Sequence, residues 1–420
     1  MSAVSTRLDR RVWQMAFARA INSMGLSLVM SFLGIYVVET RGYPAWLYGV
    51  IALLANFGQS MANAWAGNLS DRIGRRPLIT TSLFVRSGVI VLLGTQIMLD
   101  APLWTLGANI VISSTLRGCF EPVAYALVAD VVRDDQRVAA FGIQRMGTNL
   151  GWAVGPALGG VLTQVIPYGT IFYIAAGGMI VAGFVTLGVE DPVRKIAHAA
   201  SPGGDLRRAL RDGLADRVLR MLLLGTFLCA LLETQMFTTF AIYMTTQLPL
   251  TKANVGWLYA INGIGVLILQ VPALGLIRRL GIRLMLPWSS LFDATGFALI
   301  GLASGFAGGA LAMGVLTCAE VLFDPSQQTA IAEIADPAHR GRIYGVVGFA
   351  SMIGVAFAPL LGGVLLDAIG DHHAAMWLAI ATIGGAQTLC FVAFVRRRTM
   401  AHPAPSTLTD ARDARRDPKI

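Results

Sequence analysis

Eight ionisable side chains stand inside stretches of sequence that are otherwise apolar: Arg19, Arg86, Arg117, Glu121, Glu233, Asp293, Glu320 and Asp324. Arg145 is left out of this set as lying near the end of its stretch. Three of the eight are bases and five are acids, so at least two carboxyl groups lack a basic partner within the set. A carboxyl group without a base in a low-dielectric setting favours its protonated form, and small changes around it then decide whether it takes up or gives off a proton. Reversible proton transfer is the chemistry this set can do. Arg117 and Glu121 are four residues apart, as are Glu320 and Asp324, so each pair shares one helix face. We expect Glu121 to be held by Arg117, which leaves Glu320, Glu233 and Asp324, in that order, as proton carriers, with Glu121 behind them.

Uncharged polar residues extend the pattern. Arg19, Asn22 and Ser23 fall on one helix face, and Asn149, Trp152, Gln235, Thr238 and Asn262 add polar or aromatic groups on three further helices. Polar groups at helical spacing in an apolar helix suggest the wall of a cavity. Acids beside Met236, Phe237 and Trp152 would suit amphipathic cations, through charge and cation–π attraction. Arg19 and Arg117 would suit anions equally well. Arg86 and Asp293 hold matching positions in two peripheral stretches, and a structural role is expected of both.

The elements that must position these groups are helices in a membrane. The chain has 420 residues, of which 55% are hydrophobic and 14% charged, with a mean hydropathy of +0.63. A water-soluble domain carries about 25% charged residues. Crossing the hydrocarbon core takes about 20 mainly apolar residues, and twelve stretches qualify: 12–38, 45–66, 77–97, 103–131, 139–165, 169–189, 218–245, 253–274, 284–303, 307–334, 343–367 and 373–396. The predicted fold class is thus an all-α membrane protein of twelve transmembrane helices. The first stretch has no small-residue cleavage site after it and reads as a retained helix. The four cysteines fall inside these stretches without paired spacing and read as apolar filler, not as disulfides or metal ligands.

The net charge of +9 reports topology rather than a nucleic-acid partner. Of the 33 Lys and Arg residues, 27 lie in the N-terminal lead, in loops after even-numbered stretches, or in the tail, whereas only Arg41 and Lys252 lie in the opposite loops. The positive-inside rule then puts both termini and the 190–217 loop in the cytoplasm.

The chain is also duplicated. Residues 117–163 laid over 320–366 match Glu121-Pro122 with Asp324-Pro325, Asp130 with Glu333, Arg137 with Arg340, Gly142 with Gly345, Gly151 with Gly354 and Pro156 with Pro359. A nearby offset matches Ile35-Tyr36 with Ile242-Tyr243 and Gly74 with Gly281. The expected organisation is a six-helix half over 1–189, a cytoplasmic linker over 190–217, a second six-helix half over 218–396 and a disordered cytoplasmic tail over 397–420. Charges at roughly helical spacing from Asp205 to Arg220 suggest a short surface helix within the linker. Six helices per half keep both repeats in the same orientation, and such repeats place a site near the midplane between them, reached alternately from each side.

Two motifs carry a family resemblance. After the second stretch comes Gly67-Asn68-Leu69-Ser70-Asp71-Arg72-Ile73-Gly74-Arg75-Arg76-Pro77, which resembles the signature loop of the major facilitator superfamily. The resemblance implies a gating role for Asp71, Arg72 and Arg75 between the tight turns at Gly67 and Gly74, holding neighbouring helices together in the outward-facing state. The second-half counterpart, Gly275 to Arg283, lacks the acid. In the fifth stretch, Gly142, Gly151, Gly155, Pro156, Gly159 and Gly160 resemble the antiporter motif of the superfamily's twelve-helix drug/proton exporters. Close helix packing is the other reading of those glycines, since the eleventh stretch repeats their spacing. The family's arginine in the fourth stretch would fall near Ile110; here Arg117 stands five residues before Pro122. Glu320 matches the tenth-helix acid used by a subset of bacterial multidrug exporters.

The resemblance implies a secondary active transporter of the multidrug-efflux kind in a bacterial inner membrane, exporting small amphipathic or drug-like molecules in exchange for protons. It further implies a monomer in the lipid bilayer, driven by the proton gradient, with no cofactor, metal or nucleic acid. The alternative on the same fold is an importer or facilitator of a metabolite such as an organic acid. No nucleophile with a base and no His-rich or H-E-x-x-H pattern argues for an enzyme; His372-His373 lie in a loop.

Overall fold

The computed structural model describes residues 8–133, 136–190, 211, 213–248, 250–334, 340–369 and 372–401. The chain begins its first helix at Asp9, whose carboxylate accepts the Arg11 backbone N–H at 2.8 Å, satisfying one of the donors that a helix start leaves free. That helix, α1 (Arg10–Ile35), runs on through a π segment over Tyr36–Thr40. Then come α2 (Ala45–Ile73), α3 (Arg75–Met98), α4 (Leu103–Val131), α5 (Arg137–Val165) and α6 (Tyr168–Leu187). Prolines cap the starts of α2, α4 and α6, at Pro44, Pro102 and Pro167. Their fixed φ suits the entry to a helix, and no N–H is lost there that a helix would use. At the opposite end Gly74 joins α2 to α3 with φ 98°, a value that a side chain would oppose.

The second half repeats this plan with α7 (Arg217–Phe237), α8 (Thr239–Thr246), α9 (Lys252–Leu280), α10 (Ile282–Leu302), α11 (Phe306–Ile334), α12 (Arg340–Ile369) and α13 (His373–Ala401). Gly281, the repeat partner of Gly74, makes the α9–α10 joint with φ 75°. The stretch expected as one helix over 218–245 is broken: Thr238, at φ −118° and ψ −76°, separates α7 from α8. Of the surface helix expected over Asp205–Arg220, residues 205–210 and 212 lie outside the described residues, as does most of the tail; residues 211 and 213–215 are helical, and 217–220 already belong to α7. Between them stands Asp216, whose carboxylate caps α7 by accepting from the Val218 and Leu219 N–H groups.

Nine helices among the described residues are long and apolar enough to cross a membrane. The three long helices that miss this measure are α2, α4 and α5. All three lend polar residues to the central cavity described below, which lowers their mean hydropathy without shortening them.

Packing reproduces the duplication. Within the first half α1 packs on α5, α2 on α4 and α3 on α6; in the second, α7 packs on α12, α9 on α11 and α10 on α13. The halves meet along two seams, α2 against α12 and α5 against α9. At one end the apolar core is continuous across both halves, from Phe32, Tyr48 and Ile51 to Phe240, Tyr243 and Leu258. At the other end it divides into two, one cluster around Leu78, Phe120 and Val128 and another around Leu222, Leu286 and Phe323. Glycines report the same asymmetry. A Cβ on Gly49 would lie 2.6 Å from the Pro359 carbonyl oxygen, one on Gly160 would lie 2.6 Å from that of Lys252, and one on Gly256 would meet that of Pro156. Around Gly67, Gly142, Gly275 and Gly345 there is open space. The molecule is therefore sealed at the end bearing the α1–α2 loop and parted at the end bearing the Gly74 joint; α2 runs on to Ile73, so Gly67 lies within the helix and the tight turn expected there is absent.

Candidate functional site

The space between the halves is a cavity of about 490 Å³, within the range of about 300–1,000 Å³ typical of small-molecule sites. From the first half come Tyr48, Asn56 and Gln59 on α2, Arg117 on α4, and Arg145, Thr148, Asn149 and Trp152 on α5. The second half supplies Glu233, Thr234, Phe237 and Thr238 around the α7–α8 break, Asn262 on α9, and Glu320 and Asp324 on α11. A side chamber of about 100 Å³ continues from it between α7, α10 and α11, lined by Glu233, Asp293, Glu320 and Asp324 with Met236, Phe237, Phe297 and Leu316.

Charge is divided between the walls. On the first half Arg19, buried to 1% exposure, forms an ion pair with Glu121. It also donates to the Thr148 hydroxyl at 3.3 Å and lies 4.0 Å over the Tyr125 ring. Arg86 is equally buried and donates to Asn22 Oδ1 at 3.1 Å and Ser113 Oγ at 3.4 Å. Arg117 faces the cavity, has no ion-pair or hydrogen-bond partner among the described residues, and its Nε is buried without an acceptor. On the second half Glu320 accepts from Asn262 Nδ2 at 3.0 Å, and that amide also donates to Thr317 Oγ1 at 3.1 Å. Asp293 accepts from Gln387 Nε2 at 3.3 Å. Asp324 is reached across the gap by Arg145, at 2.6 Å. Glu320 and Glu233 have no basic ion-pair partner among the described residues.

Trp152 from one half and Phe237 from the other meet with ring centroids 5.1 Å apart, and Phe237 stacks on Tyr259 at 5.7 Å and 12°. The aromatic groups thus bridge the two charged walls. Proline and chain breaks place them: Thr238 ends α7 beside Phe237, and Pro156 lies one turn beyond Trp152.

Several expectations change here. Glu121 pairs with Arg19 rather than with Arg117, because α1 packs on α5 and carries Arg19 into the space between α4 and α5. Arg19, Asn22 and Gln235 do not line the cavity. The first two are buried in the first half, and Gln235 donates to the Ala358 carbonyl at 2.7 Å, fastening α7 to α12. Arg117 and Glu320 face the same cavity without touching. Asp293, expected to have a structural role, opens onto the side chamber. Of the remaining cavity residues, Arg117, Asn149, Trp152, Thr238 and Asn262 line the wall, as do Glu320, Glu233 and Asp324. Sequence reasoning missed Arg145, Asn56 and Gln59. The last two had a signal: Tyr48, Ala52, Ala55, Asn56 and Gln59 recur at helical spacing along one face of α2.

The Gly74 joint between α2 and α3 is held by a compact network. Arg75 binds Asp71 at 3.2 Å and Asp130 at 3.0 Å, and donates to Ser70 Oγ at 2.6 Å, which ties the ends of α2, α3 and α4 together. Gly151, Gly155 and Gly159 of the glycine motif lie against the α1 backbone, Gly160 lies against Lys252 of the other half, and Gly142 has open space. Close packing is therefore what these glycines provide in this conformation.

Burial makes one consequence measurable. Arg19→Met leaves Glu121 without its base, and losing one member of a buried pair costs about 3 kcal/mol or more; partial exposure of Glu121 reduces this. We expect a lower thermal unfolding midpoint in detergent, recovered in part by Arg19→Met combined with Glu121→Gln. An unchanged midpoint in the single variant would show that the pair contributes nothing to the fold.

Two repeated helical halves around a central cavity, joined at one end and parted at the other, have the architecture of a membrane transporter. The chain belongs to the major facilitator superfamily, whose model matches residues 15–247 and again 222–419. It is a multi-pass membrane protein of a transporter class. It is 26% identical over 404 residues to the multidrug resistance protein MdtH of Aeromonas salmonicida, covering 92% of this chain and 95% of that protein. It is 24% identical over 369 residues to the uncharacterized MFS-type transporter YqjV of Bacillus subtilis, covering 85% and 87%. Among solved structures it resembles a bacterial homolog of the human lysosomal transporter Spinster in an inward-facing, unoccupied conformation, with a TM-score of 0.72, 16% identity, and 94% and 98% of the two chains covered. It also resembles a point mutant of the nucleoside transporter NupG, with a TM-score of 0.74, 14% identity, and 92% and 100% covered. At these identities the structural likeness concerns the fold.

Proposed function

We propose that this protein exports amphipathic, drug-like molecules in exchange for protons, alternating between the described conformation and one open at the other end. The observation that carries this reading is the position of Glu320 and Glu233. Both are carboxyl groups without a base, facing a cavity between two halves, where a cationic substrate and a proton would compete for the same oxygen atoms. The aromatic bridge of Trp152, Phe237 and Tyr259 gives flat apolar surface for the rest of such a molecule. Relatives named multidrug resistance proteins support the substrate class.

In this reading all twelve long helices cross a bacterial inner membrane with both termini in the cytoplasm, and the parted end faces inward. The protein works as a monomer and takes its energy from the proton gradient, without a cofactor. A metabolite facilitator is the second reading, favoured by Arg117, which is placed to hold an organic anion.

The deciding assay uses everted vesicles carrying an imposed proton gradient and a pH-sensitive dye. Adding tetraphenylphosphonium or ethidium should dissipate part of the gradient in vesicles that hold the protein and leave protein-free vesicles unchanged. Equal responses in the two preparations, for every cation of a panel, would rule out proton-coupled cation export.

A further inference from the structure

The cavity has two poles, and a simple cation uses one of them. On the first half stand three bases, Arg19, Arg86 and Arg117, and Glu121 is engaged with Arg19. Arg86 is satisfied by the neutral acceptors Asn22 and Ser113. Arg117 alone of the three reaches the cavity, and its guanidinium meets no acceptor there among the described residues. Arg117 is half-buried, with its Nε enclosed and without an acceptor, and an anionic group in the cavity would meet the guanidinium through charge-assisted hydrogen bonds. On the opposite wall Glu233 and Glu320 present oxygen atoms, while Asp324 is engaged with Arg145.

We infer that the preferred substrates are zwitterions, with an anionic group at Arg117, a cationic group at Glu233 and Glu320, and an aromatic body against Trp152 and Phe237. This rests on the transport reading for its cationic pole and adds the anionic pole. The repeat explains the arrangement. Arg117 and Glu320 are equivalent positions of the duplicated halves, so the internal symmetry that sets them at matching depths also sets opposite charges on facing walls. A molecule with two opposite charges fits that pattern in a single orientation. A cation lacking the anionic group would leave Arg117 unsatisfied behind it.

Rhodamine B and its ethyl ester test this directly. They share one cationic ring system, and near neutral pH the free acid adds a carboxylate that the ester lacks. Fluorescence anisotropy with purified full-length protein in detergent should give about tenfold tighter binding for rhodamine B than for the ester, the value of one charge-assisted contact. Arg117→Gln should remove that preference by weakening the zwitterion, while the ester, freed from repulsion by the guanidinium, should bind as tightly as before or more tightly; the thermal unfolding midpoint in detergent reports on folding, and Arg117→Lys should restore part of the preference. Equal or tighter binding of the ester by wild type overturns the inference, as does a preference that survives Arg117→Gln, or no binding of either dye. Proton release on dye binding, read in the same samples, reports on the export reading separately. Release with both dyes at equal affinity would keep that reading and remove this one, whereas a zwitterion preference without release would do the reverse.

Discussion

Glu320→Gln is expected to abolish substrate-driven proton release from the purified protein. The substitution keeps the shape of the side chain, and the new amide oxygen can still accept the Asn262 amide that now lies 3.0 Å from Glu320 Oε2. What disappears is the site of proton exchange, so the variant separates a titrating role from a packing role. Loss of a buried charge that meets an opposite charge costs about 2 kcal/mol or more, so affinity for a lipophilic cation should fall by about thirtyfold or more. The pH dependence has a definite sign. A cation that displaces a proton from the carboxyl group binds more weakly as pH falls, because the protonated group must first be emptied. Wild type should therefore lose affinity toward acid, and Glu320→Gln should bind with little dependence on pH. Release that persists in the variant would move the exchange site to Glu233, whose own Glu233→Gln variant then becomes the test.

The second large effect concerns the seal. Gly49→Val would set its Cβ 2.6 Å from the Pro359 carbonyl oxygen and 2.7 Å from Leu360 Cα, both backbone atoms of the other half. Backbone on α12 cannot rotate aside as a side chain can, so relief comes from parting the halves. Overpacking costs about 1–3 kcal/mol, and the whole of it falls on the sealed state, which shifts the balance of the two conformations by up to about a hundredfold. Expression and thermal stability should change little while transport stops. Spin labels on Tyr43→Cys and Ile369→Cys would report a longer distance across the seal in the Gly49→Val background. An unchanged distance with normal transport would show that this contact does not hold the end shut. Gly142, which has open space around it, is the matching control, and Gly142→Ala should leave the distance as it is.

The helices, the duplication and both glycine joints were legible in the sequence, because apolar length and repeat spacing are one-dimensional signals. Legibility failed where two interiors had to be told apart. A helix in this fold meets lipid, the packed interior of its own half, or the cavity. Hydrophobic periodicity separates lipid from the other two and goes no further. Polarity alone points Arg19, Asn22 and Gln235 to the cavity, yet they bury their polar atoms within a half or along the packing between its helices. Asp293 errs in the opposite direction, since its place on a peripheral helix conceals that it lines the side chamber with Glu233 and Glu320. Nearness to a helix end hides Arg145, although α5 runs beside the gap and carries it to Asp324. For Asn56 and Gln59 the periodic signal exists and is outweighed by the apolar residues around them.

One contact at the sealed end makes the two seams unequal. The first turn of α2 is capped from the other half: Asp367 of α12 accepts the Ala45 N–H at 3.1 Å and the Trp46 N–H at 2.8 Å. On the other seam α9 caps itself, with Thr251 and Asn254 exchanging hydrogen bonds within their own segment. Opening the α5–α9 seam leaves both of its helix starts intact. Opening the α2–α12 seam strips α2 of its borrowed cap and exposes two backbone donors and a carboxylate that water must then satisfy, a difference of about 1 kcal/mol by the usual value of a cap. Two seams that the duplication made alike thus have different opening costs, and the halves have a built-in reason to swing apart at α5 and α9 before they separate at α2 and α12.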